Sequence, residues 1–332
     1  MGMTMTIGNL MRLLSDGSVH SGEQLGNAMG VSRAAVWKQL KKLDAMGVAV
    51  EAVKGRGYRL AHPIEPLDGA AIVAHLPADA RHLLTRLLVE DQLTSSNACL
   101  RERFQQGAGH GEVCLAESQT AGRGRRGRSW VTPWGQSLIL SVGWRFESGV
   151  TALEGLSLAV GVVIAQVLET YGIHPRLKWP NDILLPDRDG ELAKLAGVLV
   201  EVTGDAAGPC EVVMGIGLNL FMNDAQREVI GQPVAALKDV CPSLRRNQLA
   251  ADLLAGLLAM LSTFEKCGFQ AWQAEWNQRH AFANQPIHVL QGQQSCEATA
   301  GDVDASGNLW VSEENGQSRR LAGGEISIRR RL

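Results

Sequence analysis

SGEQLGNAMGVSRAAVWKQLKKLDAMG, residues 21–47, reads as two short helices joined by a tight turn. Ser21, followed three residues later by Gln24, has the form of a capping box, in which each side chain satisfies the other's unpaired backbone N–H. Gly30 is placed to end that helix, and Ser32 to cap a second one along which Val36, Leu40 and Leu43 point the same way until Gly47 closes it. Only two residues, Gly30 and Val31, separate the helices, which is helix-turn-helix spacing. Upstream, Ile7, Leu10, Met11 and Leu14 follow the i, i+3, i+4, i+7 rule of a buried helical face. Downstream, residues 48–53 and 58–60 flank the turn Lys54-Gly55-Arg56-Gly57, and so predict a β-hairpin wing.

This N-terminal part carries the local charge that the whole chain lacks. The 332 residues hold 32 basic and 34 acidic side chains, a formal charge of -2, so no global field marks a nucleic-acid binder. Between 33 and 59, however, seven basic residues face two acidic ones, a local excess of five. A charge run alone is usually a solvated helix face; on a recognition helix and wing it is a phosphate-contacting surface. The candidate DNA-binding set is Gly22, Ser32, Arg33, Ala34, Ala35, Lys38, Gln39, Lys41, Lys42, Lys54 and Arg56, with Arg33, Lys38, Gln39 and Lys42 expected on the outward face.

Composition bounds the rest. With 45% hydrophobic and 20% charged residues, the chain supports two or three domains with real cores. Cysteines at 99, 114, 210, 241, 267 and 296 form no CxxC pair and no zinc-spaced cluster, so no protein metal motif is expected. They read as scattered thiols of a reducing compartment. The longest apolar run, near 156–168, is about 13 residues against the roughly 20 that span a bilayer, and a cytoplasmic location is expected. Met1-Gly2-Met3-Thr4-Met5-Thr6 formally matches a short and common acylation pattern at Gly2.

Residues 61–67, with two prolines, mark a linker. Beyond it, strand-like runs at 138–144, 198–202 and 212–216 alternate with helical stretches at 152–170 and 247–266, a mixed α/β pattern. From about 281 the pattern changes to short strands at 287–290, 309–311 and 326–328, suggesting a small β-barrel.

The segment richest in chemistry is Gly122-Arg123-Gly124-Arg125-Arg126-Gly127-Arg128. Glycine lets backbone N–H groups approach an anion, and guanidinium groups bind phosphate oxygens in pairs at any working pH. A nucleotide or its pyrophosphate is the natural guest, and repulsion among four arginines should make the loop order on anion binding. A solvated RNA-binding loop is the alternative; the apolar strand at 113–116 and Trp130 on either side favour an enzyme cleft. Lys178-Trp179-Pro180-Asn181-Asp182 presents a lysine, an amide and a carboxylate at a sharp turn. Lys194 opens an apolar strand, where a low local dielectric strengthens its hold on negative charge. Gly215-Ile216-Gly217-Leu218-Asn219 offers a close glycine approach, and Ser95, Ser96, Asn97 and Gln119 suit a small ring with carbonyl and N–H edges. By itself Ser-Ser-Asn is a turn or cap.

In this order and combination the segments, with Gly323-Gly324-Glu325-Ile326-Ser327 near the end, resemble the biotin-protein ligases, and the helix-turn-helix in front resembles their bifunctional bacterial members. The resemblance implies a winged helix-turn-helix domain at 1–65, a central mixed α/β ligase domain related to class II synthetase-like folds at 66–275, and a small SH3-like β-barrel at 276–332. It implies ATP-dependent biotinylation of a lysine on the biotin carboxyl carrier protein of acetyl-CoA carboxylase through biotinyl-5'-AMP, with Mg2+ as the triphosphate's counterion. It also implies repression of the biotin operon, with biotinyl-5'-AMP as corepressor favouring a homodimer across two operator half-sites. Carried over by position, Ser95, Ser96, Asn97 and Gln119 line a biotin pocket closed by the backbone of Arg123, Gly124 and Arg125. Lys194 contacts the biotin carboxyl and the developing phosphate charge, with Arg125 and Asp182 beside it in catalysis. Arg123, Arg125, Lys178, Asn181 and Asn219 take the nucleotide side.

One departure is that residues 222–240 contain no Phe, Tyr or Trp, whereas some members bring an aromatic ring onto adenine from that region. Closure over the nucleotide, and its coupling to dimer formation, is therefore expected to differ. A lipoate-protein ligase and a ligand-sensing repressor without ligase activity stay open as other readings; transfer of biotin to an acceptor lysine separates them.

Overall fold

The computed structural model describes residues 7–187, 189–205, 207–291, 294–323 and 326–330, so the Gly2 acylation pattern and Gly324-Glu325 lie outside the described residues. At the N-terminus α1 (Ile7–Leu14), α2 (Gly22–Met29) and α3 (Arg33–Ala45) precede the antiparallel pair β1 (Val50–Val53) and β2 (Gly57–Leu60). The capping box forms: Ser21 Oγ accepts from the Gln24 N–H at 3.0 Å, and Gln24 Oε1 accepts from the Ser21 N–H at 2.8 Å. Gly30 and Gly47 take the left-handed φ values of +66° and +78° that stop α2 and α3. Leu10, Met11, Leu14, Val36 and Leu43 close the small core. Two expectations are corrected. Gln39 lies on the buried side of α3 at 7% exposure, because it follows Val36 by three residues and shares that stripe. The wing strand starts at Val50, since Val48 is drawn into the core.

The central part holds α4 (Gly69–His75), α5 (Ala78–Leu83), β3 (Arg86–Glu90), α6 (Ser96–Gln105), β4 (Glu112–Ala116), β5 (Ser137–Phe146), α7 (Leu156–Thr170), β6 (Arg176–Lys178), β7 (Asp182–Pro186), β8 (Leu192–Gly204), β9 (Cys210–Asn219), α8 (Asp224–Ile230), α9 (Leu237–Val240), α10 (Arg246–Cys267) and α11 (Gln273–Gln278). Its seven-stranded sheet runs β3-β4-β5-β9-β8-β7-β6, antiparallel except for β3 with β4. Strand alternation gives the sheet two different faces. Leu138, Leu140 and Val142 of β5, with Val212, Met214 and Ile216 of β9, pack under α7 and α10 in the main core. Cys114 and Val213 point the other way, against Leu100 and Phe104 of α6. The segment 150–170 and α10 are long and apolar enough to cross a membrane, more than the 13-residue run read from the sequence; both are more than half buried inside this core.

The stretch 61–67 has no helix or strand, in keeping with its prolines, yet it is a strap built into the packing. Ile64 and Leu67 are buried, the Leu67 N–H donates to Glu117 Oε1 at 2.6 Å, and Asn247 Nδ2 donates to the Pro66 carbonyl at 2.9 Å. Trp134, from the central part, completes the hydrophobic cluster of α1–α3. Gln136 and Gln226 each donate to the Gly47 carbonyl at 3.0 Å, and Arg12 pairs with Asp91 at 2.5 Å. The helix-turn-helix is therefore docked on the sheet domain.

Five further strands, β10 (Pro286–Gln291), β11 (Gln294–Val303), β12 (Leu309–Ser312), β13 (Ser318–Leu321) and β14 (Ile326–Arg330), pair antiparallel in the order β13-β12-β11-β10-β14. This is the small β-module expected, with β11 and β13 added; their polar sequences hid them. It leans on the central part where Trp179 Nε1 donates to the Gly307 carbonyl at 3.0 Å.

Candidate functional site

On β9 the glycines of Gly215-Ile216-Gly217 fall two apart, so both lie on the face away from the main core. A Cβ on Gly215 would meet Asn97 Oδ1 at 2.3 Å, and one on Gly217 would meet the Trp130 indole at 2.4 Å. The absent side chains make the floor of a cleft of about 470 Å³ between the sheet, the arginine loop and β14, within the range of small-molecule sites.

At one end the neutral polar groups converge. Gln119 Oε1 accepts from the Ser96 N–H at 2.7 Å, while Ser141 Oγ lies 2.8 Å from Ser96 Oγ and 2.6 Å from Asn97 Oδ1. Asn97 Nδ2 donates to Glu201 Oε2 at 2.8 Å, and Glu201 also holds Arg123 at 3.3 Å. Ser95 caps α6 with its backbone alone, so its hydroxyl is not spent on the cap. Ser141 and Glu201 were missed by sequence reasoning. Ser141 is one residue in an apolar strand, and only the alternation of β5 sets it behind Ser96 and Asn97, which line the cleft.

At the other end stands Lys194, whose direction depends on an irregularity. Opposite β7 the register jumps from Ile183↔Ala196 to Leu184↔Lys194, leaving Leu195 as an extra residue. In a regular strand Lys194 would share a face with Ala196 and Val198, which are core residues. The bulge puts it instead on the cleft side with Gly197 and Leu199. Its Nζ is 2.6 Å from Asp182 Oδ1 and 5.4 Å from the Trp130 ring centroid. Asp182 also pairs with Lys178 at 3.3 Å across the β6–β7 hairpin. Burial works to raise the Asp182 pKa, but the charges of Lys194 and Lys178 outweigh it, and the carboxylate is held below its usual range. Burial pushes the Lys178 ammonium the other way, below the usual lysine range, with Lys194 adding to the effect.

Between the two ends lies the arginine loop. Arg125 donates to Asn181 Oδ1 at 3.0 Å and to the Ile326 carbonyl at 3.3 Å, tying the loop to the hairpin and to β14. Asn181 in turn donates to the Val198 carbonyl at 2.7 Å, so both ends of its amide are engaged. Arg126 adopts φ +59°, a turn flanked by Gly124 and Gly127.

Beyond Lys194 and Trp130 a second space of about 440 Å³ adjoins the cleft, walled by Met222, Val229, Ile230 and Val234. The segment without aromatic residues thus presents an aliphatic wall, carried by the end of α8 and the residues on either side of it. Asn219 borders this space from behind: its Nδ2 donates to the Lys194 carbonyl at 3.3 Å and to that of Ala235 at 3.2 Å, while its buried Oδ1 has no partner among the described residues. The Trp130 Nε1 is likewise buried without an acceptor among them. Trp130, expected only to flank the arginine loop, is itself part of the cleft wall. No group of three or more metal-ligating side chains occurs among the described residues, and Asp182, the carboxylate nearest Lys194, is already bound by two ammonium groups.

Comparisons with known proteins place the chain in a family. The sequence profile of the biotin/lipoate A/B protein ligase family matches residues 89–219, an HTH domain profile matches 9–59, and the biotin protein ligase C-terminal domain profile matches 282–329. The chain is 40% identical over 321 residues to the bifunctional ligase/repressor BirA of Salmonella typhimurium and 39% identical to that of Escherichia coli, covering 96% of each chain in both cases. The structure of the Aquifex aeolicus biotin protein ligase in complex with biotin and ATP superposes with a TM-score of 0.63 at 24% identity, over 75% of this chain and all of that one, and so shares its fold. With near full-length identity of this order, the chain belongs to the biotin protein ligases, in the branch of bifunctional ligase/repressors.

Proposed function

We propose that this protein joins biotin to a lysine of the biotin carboxyl carrier protein of acetyl-CoA carboxylase in an ATP-dependent reaction, and that it represses the biotin operon when it holds biotinyl-5'-AMP. The observation that supports this most is the pair of adjoining compartments that meet at Lys194. The polar end, at Ser95, Ser96, Asn97 and Gln119, suits the ureido ring of biotin. The aliphatic space beyond Trp130 and Asn219 suits adenine, and the junction suits the anion between them. There the biotin carboxylate forms a bond to the α-phosphorus of ATP while the bond to pyrophosphate breaks. The lysine amine of the carrier then attacks the acyl carbon, AMP leaves and the amine's proton is lost. Lys194 offsets charge that grows on the phosphate and carboxyl oxygens, Arg123 and Arg125 hold phosphate oxygens, and Lys178 and Asn181 support the nucleotide side. Asn219 acts behind Lys194, through its carbonyl. Mg2+ enters with the triphosphate, since it is commonly held by phosphate and water oxygens rather than a protein cage.

On this reading the chain divides near 65 and 275, the homodimer binds two operator half-sites through α3 and the wing, and these partners place it in the cytoplasm. Arg33, Lys38, Lys41 and Lys42 of α3, with Lys54 and Arg56 of the wing turn, are exposed and offer the phosphate contacts, while Ser32, Ala34 and Ala35 lie at the start of α3. Gly22 is buried beneath Arg33 and acts by letting that side chain lie over it. The deciding experiment incubates the protein with biotin, ATP, Mg2+ and a carboxyl carrier domain and weighs the carrier. A mass increase of one biotin on one lysine is expected; labelling by lipoate alone, or no transfer, overturns the proposal.

The two β9 glycines predict a separable effect. Gly215→Ala should displace Asn97 and lower kcat/KM for biotin, while Gly217→Ala should displace Trp130 and lower kcat/KM for ATP, each by about 100-fold for a displacement near 1 Å. Steady-state kinetics with one substrate varied at a time check this, and equal effects on both constants would contradict the assignment of the two compartments.

A further inference from the structure

Trp37 is 50% exposed on α3, although an indole is among the largest apolar surfaces a side chain offers. It stands in an exposed stripe, Ala34, Trp37, Lys38 and Lys41, spaced i, i+3, i+4 and i+7 along the helix face opposite Val36, Leu40 and Leu43. Lys41 Nζ sits 4.8 Å from its ring centroid, a cation-π contact that orients the indole on the surface. Arg33 and Lys41 lie one turn before and after Trp37 on the same side, so positive charge flanks this apolar group; the one acidic residue of the helix, Asp44, lies in its last turn. A protein partner would have to bring acidic groups around an apolar pocket. Double-stranded DNA offers negative phosphates flanking a groove that also presents an apolar group, the thymine 5-methyl. Trp37 is the fifth residue of the second helix of the helix-turn-helix, in the N-terminal part that such motifs direct at base edges.

We infer that Trp37 packs against a thymine 5-methyl group in the major groove and is a base-pair specificity determinant of this protein, a role that rests on the DNA-binding function proposed above. The lysines around it hold phosphates and carry no sequence information; the indole supplies preference at one position of each half-site.

The test uses the full chain supplied with biotin, ATP and Mg2+. Sites are first selected from a randomised duplex pool with the wild-type protein. Each thymine of the selected half-site is then replaced by uracil, which removes only the methyl group. At one position the wild type should lose about four-fold in affinity per half-site, the effect expected for one buried methyl. Trp37→Ala should bind weaker and be indifferent to that replacement, and Trp37→Phe should keep part of the preference. If Trp37→Ala retains the same thymine-over-uracil ratio, or loses affinity equally on every sequence, the base contact is overturned. If the wild type selects no sequence at all, the DNA-binding function falls and this inference with it.

Discussion

Lys194→Leu is expected to slow biotin-dependent pyrophosphate release by about 100- to 1,000-fold, the usual effect of removing one preorganised group from developing charge. Leucine keeps the apolar stem and removes the ammonium, so the β8 bulge and the packing of Leu195 persist. Asp182 loses its partner at 2.6 Å but keeps Lys178 at 3.3 Å, which leaves the buried carboxylate with one counter-charge. The rate should therefore fall far more than the stability, and biotin should still enter the polar end near Gln119. Pyrophosphate release, biotin affinity by calorimetry and a thermal melt separate the three effects. Near wild-type release would remove Lys194 from the reaction and leave the two compartments without a chemical link.

Lys194 also marks how far the sequence could be read. Its residue type and its place at an apolar strand were plain, yet alternation alone does not fix its direction, which comes from a one-residue bulge set by pairing with β7. Caps and glycines at 21–47 are local signals and were legible, because a hydrogen bond three residues away needs no tertiary contact. Gln39 was misread for the opposite reason: its polarity suggested water, but its position after Val36 put it inside. Trp130 lines the cleft, and Ser141 and Glu201 hold its Asn97, only once distant strands are side by side. The strap at 61–67 has a linker's composition, and Trp134 lies far from α1–α3 in sequence, so neither announces the interface that the fold builds from them.

That interface rests on a buried ion pair, and breaking it should be among the costliest single changes to stability. Arg246 Nη1 pairs with Glu117 Oε2, both side chains almost wholly out of water at 3% and 0% exposure. The second amino group of Arg246 donates to the Ser137 carbonyl at 2.9 Å, and its backbone N–H to Glu65 at 2.5 Å. Glu117 accepts from the Leu67 N–H through its other oxygen. One pair thus joins α10, the end of β4, the start of β5 and the strap; both Glu117 oxygens and both terminal Arg246 nitrogens have partners, and Arg246 Nε is buried without one among the described residues. Arg246→Met leaves Glu117 charged and unpaired, and should destabilise the protein by about 3–5 kcal/mol in urea unfolding. Glu117→Gln should do the same to Arg246, while the double variant should recover much of the loss, because no isolated charge remains. Glu117 stands two residues before Gln119, so the singles should also raise the KM for biotin by loosening that end of the cleft. Single variants within about 1 kcal/mol of wild type would mean that water reaches the pair and that the strap is held by Ile64 and Leu67 alone.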